Sequence, residues 1–116
     1  MKQLSEEIFN YFSSLTAFTS VMDNRLFPLV ANEGTLFPFC NYKIEQQTGV
    51  TKDAGYSFDV SLFAYFKPEK YAEATEFNDA IVQELQSDES PFDYQDSSIE
   101  YIEENQSIVV LISFKK

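Results

Sequence analysis

The sequence predicts one α+β domain over residues 1–116, with a mainly antiparallel sheet of about five strands and two helices on one face of it. Two segments carry apolar residues at helical spacing, one near the start of the chain and one after Pro68. The other ordered segments alternate with period two or are continuously apolar, as strands are. The predicted order of elements is therefore α-β-β-β-α-β-β, and helices placed in this way pack on one face of an antiparallel sheet.

The first helix is predicted over residues 3–15, where the apolar side chains form a single stripe. They are Leu4, Ile8, Tyr11, Phe12 and Leu15. Glu6 and Glu7 lie in its first turns, where acidic side chains suit the positive end of the helix dipole. Residues 16–23 are expected to be a short connection that ends in a turn at Asp23-Asn24.

Three strands are predicted next. Residues 25–30 form a short edge strand, because Pro28 has no N–H to donate to a neighbouring strand. Residues 37–45 form a second strand, with Cys40, Tyr42 and Ile44 on one face. The third strand, Tyr56–Phe66, has the clearest pattern, since apolar residues occupy alternate positions along its whole length.

The second helix is predicted to open at Pro68, a residue that suits the first position of a helix. Its apolar stripe is Ala74, Phe77, Ile81 and Leu85. Residues 87–91 end it, and residues 99–103 and 107–114 then predict an antiparallel hairpin. Residues 108–112 show almost no polar alternation, which is typical of a central strand covered on both faces.

The charge balance excludes several classes of partner. The chain has 19 acidic and 8 basic residues, for a net charge of -11. Binding to a nucleic-acid backbone or an anionic membrane depends on basic residues, so neither is expected. The acidity favours a basic partner, a cation, repulsion of DNA, or simply solubility. The start of the chain is polar and no apolar run approaches ~20 residues, so we expect synthesis in the cytoplasm and no membrane span.

The residue types that commonly carry catalysis are scarce. The chain has no histidine, one cysteine and one arginine, and its three glycines are scattered. We therefore predict no cofactor, no metal and no enzymatic activity, with Cys40 as a buried apolar residue. Carboxylates such as Asp59, Glu100, Glu103 and Glu104 leave a carboxylate-only hydrolase as the weakest interpretation.

Two features favour binding or assembly. A polar segment separates two strands and is longer than most hairpin loops, so it is either a solvated loop or an arm that contacts a partner. It comprises Gln46, Gln47, Thr48, Gly49, Val50, Thr51, Lys52, Asp53, Ala54 and Gly55.

The second feature is a surplus of aromatic residues, which belong either to the core or to an interface. They are Phe63, Tyr65, Tyr94 and Tyr101.

The chain resembles the tail-completion and tail-terminator proteins of long-tailed phages and prophages. After the first helix, residues 21–28 (VMDNRLFP) match an Arg-hydrophobic-aromatic-Pro strand, and residues 34–42 (GTLFPFCNY) match a Pro-aromatic strand ending in Tyr. Residues 71–74 (YAEA) stand where the family has the start of a helix, directly after the long strand. The strong acidity and the aromatic content depart from the family, which bears on partner surfaces rather than on the fold.

The resemblance implies a non-enzymatic role. Such proteins end the tail tube or join the tail to the head, as a ring of six subunits through which DNA passes. Expected partners are other copies of the chain, the tail tube and head-completion proteins, and the expected destination is the virion tail. Acidic residues facing the channel would repel passing DNA. The candidates are Glu45, Asp53, Asp59, Glu73 and Glu76.

Two further expectations follow from the charge. Like charges repel between subunits, so the isolated protein is expected to be a monomer until a tail or head partner is present. The alternative function is an acidic DNA mimic that inhibits a nucleic-acid enzyme. That role requires carboxylates spaced like phosphates over one extended face, whereas the acidic residues are scattered among all the predicted elements.

Overall fold

The computed structural model describes residues 2–31, 36–48 and 56–116. Within these ranges the chain forms an α+β fold with three helices and a five-stranded sheet. The elements are α1 (Lys2–Ser14), α2 (Thr16–Met22), β1 (Leu26–Pro28), β2 (Phe39–Thr48), β3 (Tyr56–Phe66), α3 (Tyr71–Leu85), β4 (Asp93–Ile102) and β5 (Ser107–Lys115). Pro68 opens a single 3₁₀ turn, Pro68–Lys70, directly before α3.

The sheet has the strand order β1-β2-β3-β5-β4. Neighbouring strands are antiparallel except β1 and β2, which are parallel, so the sheet is mixed. The α+β class is confirmed, whereas the expectation of a mainly antiparallel sheet omits the parallel pair. The reason is the connection over residues 29–38, which is long enough to return the chain to the level of Leu26 and pair this residue with Cys40.

The prediction of two helices is wrong, because residues 16–22 are a helix rather than a connection. Within α2, Phe18 and Met22 are one turn apart and fully buried. The Phe18 ring lies 5.5 Å from the ring of Phe12 and 5.9 Å from that of Phe77. Seven residues are too few for a periodic pattern to appear, and this helix depends on packing against its neighbours.

Several strand limits differ from the prediction. β3 has the predicted limits, and β1 lies at an edge of the sheet as expected. β4 begins six residues before the predicted start at Ile99, because the polar segment 93–98 pairs with β5 as an edge strand. An edge strand needs few apolar residues, so its pattern in the sequence is weak. The interior position predicted for β5 is confirmed.

The helices pack on one face of the sheet, where the even-numbered residues of β2, β3 and β5 lie. Large side chains dominate this core, and Phe12, Phe66, Phe77 and Phe114 are fully buried. The Phe12 ring of α1 lies 5.9 Å from the Phe114 ring of β5, which joins the helix layer to the sheet. Successive strand residues point to opposite faces, so the odd-numbered residues lie on the other side.

Candidate assembly surfaces

The side of the sheet away from the helices is the first candidate surface. We call it the open face: Phe27 with the odd-numbered residues 39–45, 59–65 and 109–115. The core on the helix side takes only even-numbered residues from the same three strands. In the part of the chain that the structure describes, no helix contributes to the open face.

An aromatic and aliphatic patch occupies the centre of the open face. Cross-strand pairing aligns Phe27, Asn41, Phe63 and Leu111 in one row and Phe39, Tyr65 and Val109 in the next. The Phe39 and Tyr65 rings are stacked with their centroids 4.9 Å apart, which is a favourable cross-strand geometry. We call the six residues other than Asn41 the aromatic patch. Two of the surplus aromatics, Phe63 and Tyr65, belong to it and are half-buried, whereas Val109 is only 5% exposed.

The other two surplus aromatics lie elsewhere. Tyr94 packs against the core on the helix side, and its hydroxyl lies 3.2 Å from Oγ of Ser97. Tyr101 is 55% exposed, near the end of β4. The surplus is therefore shared between the core, the open face and the edge of the sheet.

Asn41 introduces a polar group into the middle of the patch. It is only 8% exposed, and its Oδ1 atom has no hydrogen-bond partner within the described chain. A buried acceptor without a donor destabilises a protein, by about 1–3 kcal/mol. Burial also raises the pKa of the nearby Tyr65 hydroxyl, and a hydrogen bond that the Asn41 amide N–H donates to it partly offsets that rise. Tyr65 is therefore uncharged at neutral pH.

A row of charged residues borders the patch. Glu45, Asp59, Lys115 and Asp93 stand in register across four strands. Lys115 Nζ lies 3.8 Å from Asp59 Oδ1, and Lys43 Nζ lies 3.1 Å from Glu45 Oε1. On β2, β3 and β5 the open face thus carries two lysines and two carboxylates, although the whole chain has a net charge of -11.

The predicted assembly loop begins in a strand. Gln46, Gln47 and Thr48 pair with Phe58, Ser57 and Tyr56, whereas residues 49–55 lie outside the described residues. β5 stops pairing at this level, since the last backbone hydrogen bonds join Phe58 to Lys116 at 3.0 and 3.4 Å. Residues 47–48 and 56–57 therefore continue beyond the sheet as a two-stranded arm. A role for this arm in assembly stays a prediction.

The candidate channel acids are not gathered into one surface. Glu45 and Asp59 face each other on neighbouring strands at the base of the arm. Glu73 and Glu76 are exposed on α3, on the other side of the sheet, where they line a groove of about 430 Å³ between α2 and α3. Asp53 lies outside the described residues. The four candidate channel acids that the structure describes thus form two pairs, one on each side of the sheet.

Exposed aliphatic residues on the β1–β2 connection are a feature that sequence reasoning missed. Leu29, Val30 and Leu36 are 66–76% exposed. Leu29 has a φ of 63°, in the left-handed region that is unfavourable for leucine, and its N–H donates to the carbonyl of Tyr42 at 2.9 Å. Residues 29–30 were expected to continue the first strand. Their apolar character was visible in the sequence, but their exposure was not.

Cys40 is fully buried, and burial raises the pKa of its thiol well above 9.0. Among residues 2–31, 36–48 and 56–116, no three His, Cys, Asp or Glu side chains are close enough together to hold a metal ion. Over the same ranges, none of the helices is long and apolar enough to cross a membrane.

The sequence matches no protein-family model and no curated protein. Evidence for its function therefore comes from its own residues and their geometry.

Proposed function

We propose that this protein is a non-enzymatic structural component of a phage or prophage tail. It ends the tail tube or joins the tail to the head, as a ring of subunits around a DNA channel. The observation that carries the proposal is the aromatic patch, on which no described helix packs and whose four rings stay partly exposed. A sheet face of this composition is typical of a surface that another protein chain covers.

The two halves of the family-like signature are in direct contact, which supports the tail setting. Arg25 of the first half donates from Nε to the backbone carbonyl of Pro38 in the second half, at 2.6 Å. The N–H of Cys40 in turn donates to the carbonyl of Arg25 at 2.9 Å. The spacing of the signature thus has a structural basis, since it sets the parallel pairing of β1 with β2.

The two pairs of candidate channel acids have different roles in this proposal. Glu45 and Asp59 adjoin lysines on the open face, so they belong to a contact between protein chains. Glu73 and Glu76 are exposed on the helix layer, where, among the described residues, only Glu73 forms an ion pair, with Lys70 Nζ at 3.6 Å. We assign Glu73 and Glu76 to the DNA channel, because carboxylates there repel the phosphates of passing DNA.

The DNA-mimic alternative requires an extended row of carboxylates on one face. The open face carries equal numbers of opposite charges on its three central strands, and the acids of α3 lie on the other side of the sheet. This distribution favours assembly over mimicry.

Purified tail tubes that lack the protein provide the test. Adding the protein is expected to cap the open ends seen by electron microscopy and to restore joining to heads. Phe63→Ser removes a ring from the aromatic patch and is expected to reduce capping strongly. Tyr71→Ser removes a ring that is 58% exposed on α3, and it is the matched control.

Circular dichroism and thermal melting establish that both variants fold. If the unmodified protein leaves the tubes uncapped and unjoined, the tail proposal fails. Tight binding to a DNA-processing enzyme that DNA competes away would instead establish the mimic.

A further inference from the structure

We propose that the free protein forms a two-fold symmetric dimer in which the open faces of two copies pack against each other. This dimer replaces the monomer expected from the net charge as the state of the protein before any tail assembly, and it forms whether or not the chain acts at a phage tail. A two-fold contact uses the same surface on both copies, so that surface must be complementary to itself. The register of the sheet meets this condition.

The charged row is complementary to itself. β3 lies between β2 and β5, so a two-fold axis parallel to β3 places β2 of one copy over β5 of the other. Glu45, Asp59 and Lys115 stand at the same level of the three strands. The axis therefore brings Glu45 of each copy opposite Lys115 of the other. Asp59 lies close to the axis, beside Lys115 of its own chain.

The aromatic patch is matched by the same axis. Phe63 and Tyr65 lie on the central strand, so each meets its own counterpart near the axis. Phe39 of β2 comes over Val109 of β5, which stands at the same level. Two sheets pack face to face with their strands nearly aligned at a spacing of ~10 Å, so two such faces build the core of a sandwich.

Charge repulsion opposes this contact less than the net charge suggests. Each copy carries a net charge of -11, but Lys43 and Lys115 balance Glu45 and Asp59 on the three central strands. The acids on the same side of β4 lie on an edge strand outside the three overlapping strands, where they stay in contact with water. Repulsion between distant exposed charges is largely screened beyond ~8 Å at physiological salt.

The size of the face sets the expected strength of the dimer. Eight residue pairs join β3 to β5, which gives a face ~26 Å long and, across the three strands that the axis superposes, ~14 Å wide. That footprint of ~360 Å² is less than half of the ~800 Å² per partner of a standard stable interface. We therefore expect a weak dimer, with a dissociation constant between about 1 μM and 1 mM. Because a two-fold dimer hides the open face, it must open before this face can contact a tail or a ring neighbour.

Sedimentation equilibrium of the full chain, from ~1 μM to ~1 mM, tests the dimer. A reversible monomer–dimer equilibrium is expected, and a monomer at every concentration would overturn the proposal. Glu45→Lys and Lys115→Glu each place like charges face to face at two positions of the dimer. Each substitution is expected to raise the dissociation constant about tenfold or more, whereas the double substitution restores the opposite charges and the affinity.

Glu76→Lys is the matched control, because it changes the net charge as Glu45→Lys does but lies on α3, away from the open face. It should leave the dissociation constant within about twofold of the unmodified protein, on the basis that distant exposed charges are screened. If the double substitution fails to restore affinity, or if Glu76→Lys weakens the dimer as much as Glu45→Lys, the proposed arrangement is wrong. The two proposals fail separately, because the unmodified protein tests both: a monomer at every concentration overturns the dimer alone, and tail tubes that stay uncapped and unjoined overturn the tail proposal alone.

Discussion

Arg25 and Pro38 are joined by a hydrogen bond of 2.6 Å from the guanidinium Nε to the backbone carbonyl. This hydrogen bond links the two ends of the connection between the parallel strands β1 and β2. It lies next to the backbone hydrogen bond that the N–H of Cys40 donates to the carbonyl of Arg25. A short parallel edge strand has few pairing partners, since only three residue pairs join β1 to β2. Arg25 therefore holds this edge of the sheet in place.

Arg25→Met is expected to lower the free energy of unfolding by about 1–2 kcal/mol, because it removes a charge-assisted hydrogen bond while keeping most of the aliphatic stem. Urea denaturation measures the change. Lys67→Met at an exposed position serves as the control and should change the stability by less than about 0.5 kcal/mol. Equal effects of the two substitutions would show that the bond contributes nothing.

The aromatic core predicts different costs for two phenylalanines in α1. Phe12 is fully buried against α2 and β5, whereas Phe9 is 42% exposed. Phe12→Ala should destabilise the protein by about 3–5 kcal/mol and Phe9→Ala by less than about 1 kcal/mol. Phe12→Leu, expected to cost about 1–1.5 kcal/mol, gives a measurable value if the alanine variant does not fold. Denaturant titrations of the three variants provide the comparison, and similar losses for Phe9 and Phe12 would contradict the packing.

Leu29 is predicted to be a site where glycine stabilises the fold. Its φ of 63° is unfavourable for leucine, and its side chain is too exposed to gain much from burial. Leu29→Gly should raise the melting temperature slightly. The expected gain in the free energy of unfolding is about 0.5–1 kcal/mol, because the relief of the backbone strain exceeds the cost of the greater freedom of glycine in the unfolded chain. Val30→Gly, at an exposed neighbour outside the left-handed region, should instead lower it. A loss of stability in Leu29→Gly would argue against the left-handed conformation.

The buried thiol of Cys40 predicts a loss of stability at alkaline pH. Burial raises the folded-state pKa of this thiol well above 9.0, whereas in the unfolded chain it ionises near that value. Below pH 9.0 both states keep the proton and the thiol adds no pH dependence. Above it only the unfolded state loses the proton, so the free energy of unfolding falls as pH rises. Cys40→Ala should lose less stability between pH 8 and 10.5 than the unmodified protein, and equal slopes would contradict the burial of the thiol.

Local pattern was a reliable guide where an element is long and strongly amphipathic. The stripe of α1 and the alternation of β3 identify these elements, and the continuous apolar run of β5 indicates an interior strand. The local pattern was unreliable for elements that have a weak sequence signal and are stabilised by tertiary packing. α2 is too short to show a period, and the first half of β4 is polar because it lies at an edge. No local pattern in the sequence indicates the parallel pairing of β1 with β2.

The candidate surfaces follow the same division. The acidity, the surplus of aromatic residues and the polar segment before β3 are visible in the sequence, and they favour a protein that binds or assembles. The sequence could not place those residues relative to one another. Phe27, Asn41, Phe63 and Leu111 come from four separate segments and form one row only through the pairing of four strands.

What the sequence determined by itself is therefore the α+β class, the helical stripe of α1, the alternation of β3 and the charge of -11. Only the tertiary structure decided that the helices pack on one side of the sheet and that an aromatic patch lies on the other side, where no described helix packs. It also decided that Glu45 and Lys115 flank the central strand at the same level. The physical reason is that periodicity depends on residues near one another along the chain, whereas a face of a sheet is assembled by hydrogen bonds between segments far apart in it.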